Sequence, residues 1–73
     1  MMKHAPLKSS QIESAAYNND RQELEIRFKS GAAYRYHQVP PQIHADLLTA
    51  ESAGKFFGSR IRGKFDYTRL PAT

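Results

Sequence analysis

Hydrophobic and polar residues alternate most regularly over residues 23–29, where Leu24, Ile26 and Phe28 share one parity and charged side chains occupy the other. This two-residue period predicts a β-strand with one buried and one solvated face, as in an antiparallel sheet that is covered on one side. A weaker alternation over residues 10–17 predicts a preceding strand that contains a bulge or a twist. The polar residues between the two segments have the composition of a turn.

The strand that follows contains Tyr34 and Tyr36, and the length of the loop before it decides which way these side chains point. A two-residue loop would place charged side chains on the apolar face, which is unfavourable. A three-residue loop that ends in Gly31 suits a type I turn whose last residue is left-handed. It pairs Tyr34 with Ile26 and Tyr36 with Leu24. We therefore predict that both tyrosines belong to the core; the alternative is an exposed platform on which bases stack.

Two helices are predicted after the sheet. Pro40 and Pro41 end the last strand, and Pro41 suits the first helical position, where its missing N–H has no partner to lose. Apolar residues at helical spacing then predict a helix of about three turns. Ser52 is the predicted N-cap of a second short helix, which Gly63 ends. The predicted fold class is α+β, a three-stranded antiparallel β-meander followed by two short helices packed on one face (β-β-β-α-α).

The chain has 73 residues, which is enough for one compact domain. Residues 1–9 lack periodicity and are expected to form a flexible N-terminal arm. Residues 10–70 are expected to form the domain, and residues 71–73 a C-terminal tail. The sequence has no cysteine and no apolar run of the length of a signal peptide or membrane span. A cytoplasmic protein without a membrane partner is therefore expected.

Charge adds a candidate function. The formal net charge is +4 at pH 7, and residues 32–73 hold six bases and three acids, whereas residues 1–31 hold five bases and four acids. Such a basic half attracts polyanions such as RNA, DNA or acidic proteins, although it is also typical of a solubilising surface. The candidate nucleic-acid-binding residues are Arg35, Ser52, Lys55, Arg60, Arg62, Lys64 and Arg69.

Residues 52–55, at the start of the second helix, supply a hydroxyl, a glycine and a lysine, which predicts a seat for a phosphate. The alternative is an ordinary capped helix with a basic flank. Catalytic signatures are not found: His4, His37 and His44 have no metal-ligand spacing, and no nucleophile or phosphate-loop motif occurs. We expect no enzyme, no catalytic residues, no bound metal and no cofactor.

The chain resembles the KTSC domain, a short bacterial domain named for the C-terminus of certain lysyl-tRNA synthetases. The resemblance covers about residues 10–70 and depends on an ordered set of short matches. They are residues 10–12, 16–18, 24–28, Gly31, the central Tyr34-Arg35-Tyr36, residues 39–40, 52–57 and 61–65. Ala15 departs from the pattern, because the family more often has a larger aliphatic residue there.

The resemblance implies a stand-alone binding module for RNA, since the family is associated with a tRNA synthetase, and it supplies no catalytic residues. The expected partner is a tRNA-like RNA or another polyanion, bound in a salt-dependent manner. The alternative is a protein-interaction module in which an edge strand, over residues 10–17 or 32–37, pairs with a protein partner or a second copy. The chain would then be a monomer or a weak dimer.

Overall fold

The structure, a computed structural model, describes residues 4–71. Its fold is α+β: a five-stranded antiparallel sheet in the order β1-β2-β3-β4-β5 packs against two helices. The elements are β1 (Ala5–Pro6), β2 (Ile12–Asn18), β3 (Glu23–Phe28), β4 (Ala33–Tyr36), α1 (Pro41–Thr49), α2 (Ala53–Phe56), a π-helical turn (Phe57–Ile61) and β5 (Tyr67–Leu70). The outer parts of the predicted arm and tail, residues 1–3 and 72–73, lie outside the described residues.

The predicted three-stranded meander is too small, because one strand is added at each edge. Ala5 in β1 lies opposite Ala15 in β2, so part of the arm predicted over residues 1–9 joins the sheet. Tyr67 in β5 lies opposite Tyr36 in β4. A two-residue strand is too short to show alternation, and alternation in the C-terminal segment does not reveal which strand it pairs with.

The β3–β4 hairpin has the predicted register, with Ile26 opposite Tyr34 and Leu24 opposite Tyr36. Gly31 has a φ of 99°, the left-handed conformation expected at the end of the three-residue loop. Both predictions are confirmed. Together they place the two tyrosines on the sheet face that carries the helices.

The helices begin where the sequence predicts but do not continue as expected. Pro40 is the N-cap of α1 and Pro41 its first residue. The Ser52 hydroxyl caps α2 by accepting a hydrogen bond from the backbone N–H of Lys55 at 3.3 Å. The predicted second helix to Gly63 is not one continuous α-helix, because α2 has four residues and is followed by the π-helical turn.

The core lies between the sheet and the helices. Its largest fully buried side chains come from β2, β3, the segment before α1, α1 itself and the π-helical turn. They are Ile12, Leu24, Ile26, Leu47, Ile61 and Val39. Within residues 4–71, no helix is long and apolar enough to cross a membrane.

Candidate functional site

A groove of about 680 Å³ opens on the helix-bearing side of the sheet, beside the π-helical turn. Five aromatic side chains line it, together with two cationic side chains and several small or polar residues. We call it the aromatic groove, and its main lining residues are Phe28, Tyr34, Tyr36, Phe57, Arg62 and Tyr67.

The three tyrosines of the aromatic groove come from two neighbouring strands. Tyr34 and Tyr36 share one parity on β4, and Tyr67 faces Tyr36 across the β4–β5 pair, so all three lie on one face. The ring centroids are 5.4 Å apart for Tyr34 and Tyr67 and 5.6 Å apart for Tyr36 and Tyr67. Tyr36 is 4% exposed and belongs to the core, Tyr34 is half-buried against it, and Tyr67 is 59% exposed.

The ring of Tyr36 is buried, whereas its hydroxyl is accessible from the aromatic groove. Within residues 4–71, this hydroxyl makes no hydrogen bond to another protein group. Burial is the main reason that its pKa is raised to about 12, and the Tyr34 and Tyr67 phenols raise it further. The Arg62 guanidinium partly offsets this rise in pKa. The hydroxyl is thus a neutral donor that a ligand could satisfy.

Two exposed cations line the aromatic groove. Arg62 directly follows the π-helical turn, and its backbone N–H donates to the Phe57 carbonyl at 2.8 Å. Lys29 begins the loop between β3 and β4. No carboxylate is among the groove-lining residues in the described part of the chain, so this site attracts anions.

The basic residues predicted from the sequence do not form one patch. Arg62 lines the aromatic groove, whereas Lys64 lines a second depression, which shares Tyr67 with the groove. The Arg60 guanidinium lies 5.9 Å from the centroid of the Phe56 ring. Of these three cations, only Arg62 lines the aromatic groove itself.

The other predicted basic residues lie further apart. Arg35 alternates with the tyrosines on β4, so its side chain is on the opposite face of the sheet, where it donates to Glu25 at 3.2 Å. Arg69 lies opposite Tyr34 and is exposed on the groove side, and Lys55 is exposed on α2. Arg35 thus cannot extend a surface that contains Arg62.

The phosphate seat predicted at residues 52–55 is engaged by the protein's own groups. The Ser52 hydroxyl caps α2, and a Cβ on Gly54 would lie 3.2 Å from Oε1 of Gln11. The chain before β2 therefore packs against this glycine. The small size of Gly54, which also lines the aromatic groove, thus serves this packing.

A polar network that the sequence did not reveal lies on the opposite face of the sheet. His4 bonds to the Ser14 hydroxyl through Nδ1 at 2.9 Å and to Glu25 Oε1 through Nε2 at 2.8 Å. Ser14 is only 9% exposed, and neither depression described above includes this network. Its evident effect is to tie the segment containing β1 to β2 and β3.

Comparison with known proteins identifies the family. The family model described as the KTSC domain matches residues 8–65. The chain belongs to the KTSC domain family. A crystal structure of a KTSC domain protein from Yersinia pestis superposes with a TM-score of 0.94 at 37% identity, covering 97% of this chain and 100% of that one. The family resemblance predicted from the sequence is confirmed.

Relatives of this KTSC domain occur alone and within larger proteins. A Stutzerimonas stutzeri protein is 46% identical over 94% of this chain and 99% of its own length. A Tsukamurella paurometabola protein is 45% identical over 82% of this chain and 90% of its own. The lysine–tRNA ligase of Nostoc punctiforme is 40% identical over 86% of this chain, which corresponds to 11% of the ligase.

Several residues of the aromatic groove in this KTSC domain were not predicted as site residues. Lys29 was assigned to the solvated face of the strand predicted over residues 23–29, and Tyr67 was given no partner in the predicted sheet. Gly58 gave no signal in the sequence. The parity of Tyr67 with Phe65 was the available clue, but only the β4–β5 register shows that it meets Tyr34 and Tyr36.

Proposed function

We propose that this KTSC domain is a small RNA-binding module and that single-stranded RNA binds at the aromatic groove and its basic margin. The observation that carries the proposal is the combination, at one site, of exposed Tyr67 with the cations Arg62 and Lys29. Sequence-tolerant recognition of single strands uses aromatic rings for base stacking beside positive charges that follow the backbone.

The position of the cations refines the interface predicted from the sequence. Arg62 and Lys29 both line the aromatic groove, and Lys29 lies in the loop between β3 and β4. Lys64 lines the neighbouring depression, to which Tyr67 also contributes. Arg60, Lys55 and Arg69 would contribute long-range attraction rather than contacts in the groove. Arg35 is excluded, because it pairs with Glu25 on the other face.

The relatives support RNA as the polyanion. The region similar to this chain makes up about a tenth of three cyanobacterial lysine–tRNA ligases, enzymes named for a tRNA substrate. Within such an enzyme the domain could hold RNA close to the catalytic part, and as a separate protein it could bind RNA by itself. The ligase activity itself belongs to the remaining length of those proteins.

Anisotropy measurements with labelled single-stranded RNA and with tRNA, across a salt series, test the proposal. Each neutralised phosphate of a single strand contributes a slope of about −0.7 to log K against log salt. Contacts from Arg62 and Lys29 predict a slope of about −1.4 or steeper. The Arg62→Ala variant should weaken binding and reduce the magnitude of the slope by about 0.7.

Arg21→Ala is the matched control, because Arg21 is exposed in the β2–β3 turn, at the other end of β3 from Lys29. It removes the same charge from the molecule and should leave the slope unchanged. Absence of binding at low salt would refute RNA binding. Equal effects of Arg62→Ala and Arg21→Ala would show that only net charge matters and would overturn the proposed site.

The edges of the sheet favour a second candidate function, binding of a protein by strand addition. The edge strands predicted over residues 10–17 and 32–37 are both covered, by β1 and β5. The edges are instead β1, with two residues, and β5, with four. A strand could add to β5. Pull-down from nuclease-treated lysate separates the two functions, because only a protein partner survives that treatment.

A further inference from the structure

We infer that the aromatic groove accommodates one unpaired nucleotide, with its base against the tyrosines and its phosphate at Arg62. The inference rests on the proposed RNA-binding function and specifies the ligand of that site. The bound group is a single nucleotide whose base is not stacked on its neighbours, rather than a stretch of the RNA backbone.

The first reason is an available donor. The ring of Tyr36 is almost completely buried, whereas its hydroxyl is accessible from the aromatic groove and makes no hydrogen bond to a protein group within residues 4–71. A ligand that displaces water from this hydroxyl must offer it an acceptor, because a polar group left without a hydrogen bond is unfavourable. The edge of a nucleobase offers carbonyl and ring-nitrogen acceptors at the rim of a flat ring. Such a base can accept from Tyr36 while its face lies against an aromatic side chain.

The second reason is the arrangement of the rings. The planes of Tyr34 and Tyr67 are 80° apart and those of Tyr36 and Tyr67 are 44° apart, so the three rings form a corner and not a flat platform. Phe28 and Phe57 meet edge-to-face at 5.2 Å within the same lining. A corner accepts one flat ring, whereas a run of stacked bases needs successive parallel surfaces.

The third reason is the space beside the π-helical turn. A Cβ added to Gly58 would meet nothing within 4 Å, and Gly58 lines the aromatic groove together with Gly54. Gly58 therefore leaves open space at this margin of the groove. π-helical turns occur frequently at functional sites. The groove volume of about 680 Å³ is also within the range of small-molecule sites.

The fourth reason is charge. Arg62 and Lys29 are the charged residues of the groove lining among residues 4–71, and both are cationic. Arg62 and Tyr36 line the same groove. A ligand that accepts from the Tyr36 hydroxyl and pairs with the Arg62 guanidinium needs a flat ring with a hydrogen-bond acceptor and an anionic group next to that ring. A nucleotide has this composition, and a guanidinium binds phosphate oxygens in a bidentate manner.

Titration of the domain with mononucleotides, followed by amide chemical shifts, tests the inference. Adenosine and uridine monophosphate should shift the backbone amides of Gly54, Gly58 and Arg62. The corresponding nucleosides, which lack phosphate, should bind at least about fivefold more weakly, as expected for loss of a charge-assisted hydrogen bond. Benzoate is the comparison anion; binding as tight as that of the mononucleotides would overturn the assignment to a nucleotide.

Two variants locate the site. Gly58→Leu should fill the groove and weaken binding of mononucleotides and single-stranded RNA at least tenfold. Ala45→Leu places the same leucine side chain on the exposed side of α1 and should change neither affinity. Tyr36→Phe removes only the free hydroxyl and should weaken mononucleotide binding about fivefold, the magnitude of one hydrogen bond. Thermal melting confirms that each variant is folded.

The outcomes separate this inference from the proposed function. The domain could bind RNA, bind duplex and single strand equally, and be unaffected by Gly58→Leu. This result would support the RNA function but overturn the nucleotide site. Mononucleotide shifts at the groove without any RNA binding would retain the nucleotide site and refute the RNA function. Unchanged affinity in both Gly58→Leu and Tyr36→Phe also overturns the inference.

Discussion

At the scale of single residues, Tyr36 combines two roles. Its ring packs edge-to-face on Phe57 at 5.7 Å in the core, while its hydroxyl lines the aromatic groove. The central Tyr34-Arg35-Tyr36 motif thus divides its three side chains between two faces. The tyrosines line the groove, whereas Arg35 is held by Glu25 on the opposite side. The predicted strand register is enough to place Arg35 and the tyrosines on opposite faces. That the Tyr36 hydroxyl has no partner in the protein could not be predicted from the sequence.

Because burial and the neighbouring Tyr34 and Tyr67 phenols raise the pKa of Tyr36 to about 12, its ionisation should occur well above that of an ordinary tyrosine. An acid with a raised pKa in the folded state favours folding below its unfolded pKa of 10.0. That contribution, at most about 3 kcal/mol, is lost as the pH rises from 10.0 to about 12. Phenolate absorbance and urea unfolding across this range measure both effects.

Tyr36→Phe should abolish the late ionisation and flatten the alkaline loss of stability. The matched variant Tyr67→Phe should retain the late step at a slightly lower pH, because Tyr67 contributes to raising the pKa of Tyr36. Identical titration curves for the wild type and Tyr36→Phe would contradict this account.

At the scale of elements, the short β1 is held by side-chain hydrogen bonds beside it as well as by its backbone pairing with β2. Ala5–Pro6 pairs with β2, and His4 beside it bridges Ser14 and Glu25. Proline at an edge strand offers no N–H to a further strand, which also protects this edge of the sheet. An alternating pattern cannot appear in two residues, so the arm looked unstructured in the sequence.

The His4–Glu25 contact predicts a stability change in acid. Burial by itself would raise the pKa of Glu25, but hydrogen bonds from His4 and Arg35 outweigh it and the pKa is lowered. A carboxylate with a lowered pKa stabilises the fold above its unfolded value, which is 4.5, and this contribution is lost as the pH falls through the lower folded value. Urea unfolding as a function of pH should show this loss.

Glu25→Gln should lower the free energy of unfolding at pH 7 by about 1–2 kcal/mol and weaken its dependence on acid pH. Glu13→Gln is the control, since Glu13 is an exposed carboxylate on the same sheet. Equal acid sensitivity in the wild type and Glu25→Gln would show that the network contributes nothing to stability.

At the scale of the whole molecule, the helices and sheet share one small core. Leu47 and Leu48 are neighbours on α1, yet Leu47 is 1% exposed and Leu48 is 42% exposed. A domain of this size buries only about 60% of the surface that its unfolded chain exposes, so few side chains contribute to its core. Its total stability is therefore sensitive to single core positions.

Leu47→Ala should lower the free energy of unfolding by about 2–5 kcal/mol, because it removes buried methyl groups and leaves a cavity. Leu48→Ala should change it by roughly 0.5 kcal/mol or less, as is usual for a surface substitution. Urea denaturation with an unchanged m-value measures the difference. Comparable losses in the two variants would mean that α1 is packed through a different face.

The sequence by itself determined the α+β class, the β3–β4 register, where both helices begin and the family. Each depends on neighbours along the chain: an alternating period, the left-handed Gly31, Pro41 at the first turn and Ser52 as an N-cap. Only the tertiary structure decided the two edge strands, the π-helical turn and the aromatic groove. These depend on contacts between distant segments, such as Tyr34 with Tyr67 and Gly54 with Gln11, for which local periodicity contains no signal.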